Sequence, residues 1–120
     1  EFRRVLFRSG TQNASAALVS ARSSLEDTNR QIVATLKQAY VSYKEAQMKL
    51  NVDTSFREAA AKRAEIARVK YQNGLMTFED WDIIESDLIA REKSVLQSQR
   101  DRARAEANWN QVLGKGVSYE

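Results

Sequence analysis

An all-α fold, built as a long antiparallel helical hairpin of coiled-coil type, is the expectation for this chain, and three observations point to it. Proline is absent from all 120 residues and only four glycines occur. Hydrophobic residues make up 42 % of the chain, many of them alanine, while aromatics reach 8 % and charged residues 29 %. That mixture suits helices paired along a narrow seam better than a globular core. Finally, a single strong turn signal, Asn73–Gly74, divides two stretches that otherwise carry uninterrupted helical periodicity.

Residues 1–9, EFRRVLFRS, stand apart. They spell the translation of the 3′ end of a widely used sequencing adapter, and the expectation is a read artefact fused to a truncated gene. Arg3, Arg4 and Arg8 against Glu1 account for +2 of the formal charge of +3. Residues 10–120 then hold 16 basic and 15 acidic groups, so the basic balance gives little support to nucleic-acid binding.

The first helix is expected over about residues 11–72. Leu18, Leu25, Ile32, Ala39, Ala46, Ala60 and Ala67 recur at intervals of seven or fourteen. Leu36, Tyr43, Leu50, Ala64 and Tyr71 run beside them at the complementary spacing, which makes an a/d-like seam. Asp53 and Arg57 interrupt both lines, so the seam is expected to loosen or change partner midway. A helix of about 60 residues would be about 90 Å long, which implies partners along its length.

The turn is expected at 73–77. Asn73 and Gly74 tolerate the left-handed conformation that closes a helix. Thr77 is a good N-cap, with Asp80 three residues on as the acidic half of a capping box. Met76 before the cap and Trp81 after it have the spacing of a hydrophobic staple. The second helix is expected over about residues 78–113, its stripe running through Phe78, Trp81, Ile84, Leu88, Val95, Leu96, Ala103, Trp109 and Leu113. Gly114 and Gly116 are expected to end it and leave residues 114–120 as a tail.

The chemistry available is narrow. With no cysteine and no histidine, thiolate sites and the commonest metal ligand and general base are ruled out. No apolar run approaches the ~20 residues that span a bilayer. Glu79, Asp80, Asp82, Glu85 and Asp87 crowd the start of the second helix, where carboxylates favour the helix dipole by about 0.3–1 kcal/mol each. Their spacing scatters them over several faces, which argues against a metal site, and a thin hairpin offers no pocket for acid–base catalysis. Neither an enzyme nor a cofactor is expected. Arg91, Lys93, Arg100, Arg102 and Arg104 alternate with acids as on a solvated, salt-bridged face. Tyr40, Tyr43, Tyr71, Trp81 and Trp109 are expected in the seam.

The stretch YQNGLMTFEDWDIIESDL carries more than periodicity. It resembles the turn after the last long helix of TolC-like outer-membrane efflux proteins. The pattern there is Y-x-x-G, an aspartate six residues after the glycine, and a leucine eight residues beyond that. Tyr71, Gly74, Asp80 and Leu88 fall on these positions, and Leu113–Gly114 matches the family's closing Leu-Gly. QIVATLKQAYVSYKEAQMKL looks like the middle of the family's long helix, with lower specificity, so the resemblance covers about residues 11–116.

The resemblance implies a fragment of a homotrimeric α-helical channel-tunnel whose β-barrel strands are absent here. It would be a passive conduit for efflux or type I secretion in the outer membrane of a Gram-negative bacterium, with this segment in the periplasm. Membrane contact would come only through the missing β-strands, and no nucleic acid is involved. Tyr71, Asn73, Gly74, Leu75, Met76 and Thr77 would form the periplasmic tip that meets the adaptor (membrane fusion) protein, and the inner-membrane pump would be reached indirectly. Asp80 matches the first of the inward-facing aspartates that constrict the entrance. The companion position holds Ile83, and Met76 stands where some members have a basic residue that locks the closed state. The competing reading is a coiled-coil hairpin from a periplasmic adaptor or scaffold. That reading explains the seam and the tip but not the matched Tyr71, Gly74, Asp80, Leu88 and Leu113–Gly114.

Overall fold

The computed structural model describes residues 1–117, with side-chain surroundings through Gly114. Among the described residues there are two helices and no strand: α1, Phe2–Gln72, and α2, Phe78–Val117. The chain divides into two units, Glu1–Lys37 and Gln38–Glu120. Among the described residues no helix is long and apolar enough to cross a membrane.

Both helices outrun their expected limits. α1 begins at Phe2 rather than near residue 11, because Gly10 is the only weak helix former of consequence in that stretch and a lone glycine costs only about 1 kcal/mol. For the same reason α2 continues through Gly114 and Gly116 to Val117 instead of stopping near 113. Residues 118–120 of the expected tail lie outside the described residues.

The first unit is one length of α1. All of its residues up to Thr35 are exposed, including Leu18, Leu25 and Ile32.

The second unit is the antiparallel hairpin. On α1 the inward positions are Ala39, Tyr43, Ala46, Leu50, Asp53, Arg57, Ala60, Ala64 and Ala67, at alternating steps of four and three, and all are buried or half-buried. On α2 they are Trp81, Ile84, Leu88, Arg91, Val95, Ser98, Arg102, Ala105, Trp109 and Val112, at steps of three and four. These are two uninterrupted heptad lines. Ala39, Ala60, Ala64, Ala67 and Val95 are its buried apolar residues, and Ser98 is wholly enclosed. Alanines at a seam let two helices approach closely, so dispersion contacts replace bulk.

This corrects the expectation that Asp53 and Arg57 break the seam. Both sit in it. Ser98 Oγ donates to the Asp53 carboxylate, and Lys49 Nζ lies 3.9 Å from the same group. Arg91 and Arg102 belong to the seam as well, rather than to a solvated outer face. Arg91 covers the Phe56 ring with its guanidinium 4.9 Å from the centroid. Arg102 donates to Gln47 Oε1 at 3.3 Å and pairs with Glu106 at 3.3 Å. In each case a long stem packs along the seam while the charged head stays partly wet. By contrast Phe78, Leu96, Ala103 and Leu113 turn outward from α2.

Candidate functional site at the hairpin tip

The closure of α1 follows from one residue. Gly74 has φ +72°, a conformation that a side chain rarely adopts. It lets the Leu75 N–H reach the Lys70 carbonyl at 2.8 Å and the Gly74 N–H reach the Tyr71 carbonyl at 3.0 Å. This pair of bonds is a Schellman closure, and it satisfies carbonyls that a helix end otherwise leaves open. The Asn73 N–H still bonds helically to Val69 O at 3.1 Å, so glycine alone makes the turn.

The start of α2 is capped as its sequence demands. Thr77 Oγ1 accepts the Asp80 N–H at 3.2 Å, and Thr77 O accepts the Trp81 N–H at 3.1 Å. Among the described residues no bond returns from the Thr77 N–H to the Asp80 carboxylate, so the cap is one-sided rather than a full box. Met76 and Trp81 are both half-buried.

Three rings fasten the two helix ends together. Tyr71 stacks on Trp81 with centroids 5.1 Å apart and planes 13° from parallel. Phe78 meets Tyr71 edge-on at 6.2 Å and Trp81 at 5.6 Å. Such contacts are worth about 0.5–1.5 kcal/mol per pair beyond burial. Trp81 Nε1 is buried there with no acceptor among the described residues. Leu75 beside this cluster is 76 % exposed and Phe78 within it 56 % exposed, which gives the tip an apolar cap.

The five carboxylates are drawn apart by helical geometry. Glu85 turns to one flank and accepts from Arg68 Nη2 of α1 at 2.9 Å. Asp87 pairs with Arg91 at 3.7 Å. Glu79, Asp80 and Asp82 are exposed. Among the described residues no three acidic groups gather as metal ligands would. Asp80 and Asp87 lie seven residues apart on one flank of α2, with Ile83, 67 % exposed, turned further outward beside them.

Sequence reasoning thus finds the tip residues, and the structure brings Tyr71, Gly74, Thr77, Asp80 and Trp81 into one locally bonded unit. It misses the Arg68–Glu85 clasp and the flank shared by Asp80 and Asp87. The three–four spacing of α2 carries the second of these once polar residues are admitted to the line. At the other end of the hairpin Tyr40 packs on Trp109 at 5.4 Å. No protein-family model matches the chain, and no curated protein or solved structure is significantly similar to it.

Proposed function

We propose that this chain is the C-terminal helical part of a TolC-like export channel, a passive conduit that works as a homotrimer with a periplasmic adaptor and an inner-membrane pump. The observation that carries the reading is the spacing of Tyr71, Gly74, Asp80 and Leu88 together with Leu113–Gly114. Each of the first four has a physical task that suits a tunnel tip. Gly74 makes the left-handed turn, Tyr71 and Trp81 lock the two helix ends, Leu88 fills the seam, and Asp80 stands exposed on the first turn of α2. The apolar cap of Leu75 and Phe78 is the surface offered to the adaptor.

On this reading Asp80 and Asp87 face the entrance and favour cations through a ring of carboxylates. Ile83 and Trp81 set its packing in place of a charge lock at Met76.

The test is to read the source gene upstream of codon 10. Two amphipathic β-strands, preceded by a second long-helix–turn–helix pattern, are expected. A native reading frame that continues through EFRRVLFRS with neither would overturn the channel and leave the hairpin interaction module. A lipoyl-like or barrel domain flanking the hairpin would identify an adaptor instead.

A further inference from the structure

We propose that Asn73 is a site of spontaneous covalent change, its side-chain amide being lost to give aspartate and isoaspartate when the hairpin tip opens. The inference is independent of the channel reading, because it uses only the chemistry of the turn. Of the six asparagines in the chain, Asn73 alone precedes a glycine. The other five lie inside α1 or α2, each followed by a residue with a side chain. Asn73 lies just past the end of α1 and is exposed, and nothing stands within 4 Å of where a Cβ on Gly74 would be. The Gly74 nitrogen is therefore sterically open to the Asn73 side chain.

The step balances without an oxidant or a cofactor. Hydroxide takes the proton of the Gly74 N–H, and the nitrogen attacks Cγ of Asn73. A C–N bond forms and closes a succinimide ring, and the side-chain nitrogen leaves as ammonia. Water then adds to one of the two ring carbonyls. Breaking the bond from the Gly74 nitrogen to Cγ leaves aspartate. Breaking its bond to the main-chain carbonyl carbon of Asn73 leaves isoaspartate, whose backbone runs through the side chain and is longer by one methylene.

The closed turn holds this reaction back. The Asn73 N–H bonds to Val69 O at 3.1 Å, the Gly74 N–H to Tyr71 O at 3.0 Å and the Leu75 N–H to Lys70 O at 2.8 Å. The first keeps Asn73 in helical register, and the second occupies the proton that must leave. Tyr71 is itself pinned by its stack on Trp81. Cyclisation thus waits on opening of the tip, a local event of lower cost than unfolding the hairpin. Both products then oppose reclosure. A carboxylate at the end of α1 meets the negative end of the helix dipole, and the added methylene of isoaspartate displaces Gly74 and Leu75 from the carbonyls they bond. The tip thereby keeps a chemical record of having opened.

The test ages the 120-residue chain in mildly alkaline buffer, both folded and unfolded in guanidinium chloride. Trypsin releases Tyr71–Arg91, in which Asn73 is the only asparagine. Mass spectrometry and isoaspartyl methyltransferase labelling of that fragment give the rate. The folded chain should convert at Asn73 ahead of its other asparagines. Its rate should be roughly 10-fold or more below that of the unfolded chain, because two hydrogen bonds of the turn open first. Tyr71→Ala and the milder Phe78→Ala should each raise the folded rate. Gly74→Ala should suppress conversion in guanidinium chloride, where the turn plays no part. Chains enriched in isoaspartate should melt at a lower temperature than fresh ones.

A folded chain whose Asn73 stays intact long after the unfolded chain has converted would overturn the inference. Equal rates in the two states, or folded rates unmoved by both ring variants, would overturn gating by the tip. An unchanged melting temperature after conversion would overturn the effect on closure.

Discussion

Replacing Ser98 by alanine tests the physics of the seam most directly. Ser98 is wholly enclosed, and its hydroxyl is the donor to the Asp53 carboxylate, whose side chain is 17 % exposed. A hydrogen bond to a charged acceptor contributes about 1.5–3 kcal/mol. Two features of the site pull the figure down. Lys49 remains 3.9 Å from the carboxylate, and the exposed sliver of Asp53 lets water replace part of the lost bond. Alanine also fits the seam without a cavity and is the best helix former. The net cost should be about 1–2 kcal/mol, and a domain of this size loses roughly 4–8 °C in Tm per kcal/mol. Asp53→Ala combined with Ser98→Ala should recover most of that loss, because removing both partners leaves nothing unsatisfied. Urea unfolding followed by far-UV circular dichroism on wild type, both single variants and the double variant gives the coupling energy. A Ser98→Ala cost under roughly 0.5 kcal/mol, with additive double-variant energetics, would refute the reasoning and make the polar layer passive.

Three further outcomes follow from the tip and the seam. Gly74→Ala should cost about 1–2 kcal/mol purely from the left-handed backbone, since nothing lies within 4 Å of the added Cβ, and Gly74→Asn should cost less; the two Tm values decide it. Ala64→Leu, at a position 1 % exposed, should destabilise by about 1–3 kcal/mol by forcing the helices apart, whereas Ile66→Leu on the outward face should be nearly neutral in the same urea assay. Arg68→Gln should cost under about 1 kcal/mol, because Arg68 is 55 % exposed, and the difference should shrink at high salt.

Much of this architecture was legible from residue order, and the reasons differ by region. The turn could be placed to the residue because Gly74 and Thr77 act through bonds to neighbours three to five positions away. The alanine line of α1 could be followed because apolar periodicity survives at low bulk. The polar members of the seam were hidden for the opposite reason. Asp53, Arg57, Arg91, Ser98 and Arg102 look like solvent residues one at a time, and only the pairing of two antiparallel lines gives Ser98 its acceptor and Arg102 its Gln47. Helix limits at Phe2 and Val117 were missed because an isolated glycine permits a stop without enforcing one. The flank shared by Asp80 and Asp87 needs the seam to be fixed first, since helix faces have no meaning until one of them is buried.

The cross-helix pairs of the hairpin form a graded series in chain separation. Tyr71 and Phe78 are seven residues apart, Tyr71 and Trp81 ten, Arg68 and Glu85 seventeen. Asp53 and Ser98 are 45 apart, Gln47 and Arg102 55, and Tyr40 and Trp109 69. Loop closure grows costly only slowly with length, and here each closed pair shortens the loop that the next one must close. This grading predicts zipper-like folding from the tip, with the Gly74 turn and the three rings as its nucleus. In stopped-flow refolding, changes at Tyr71 or Gly74 should slow folding, while changes at Trp109 should leave folding speed alone and hasten unfolding.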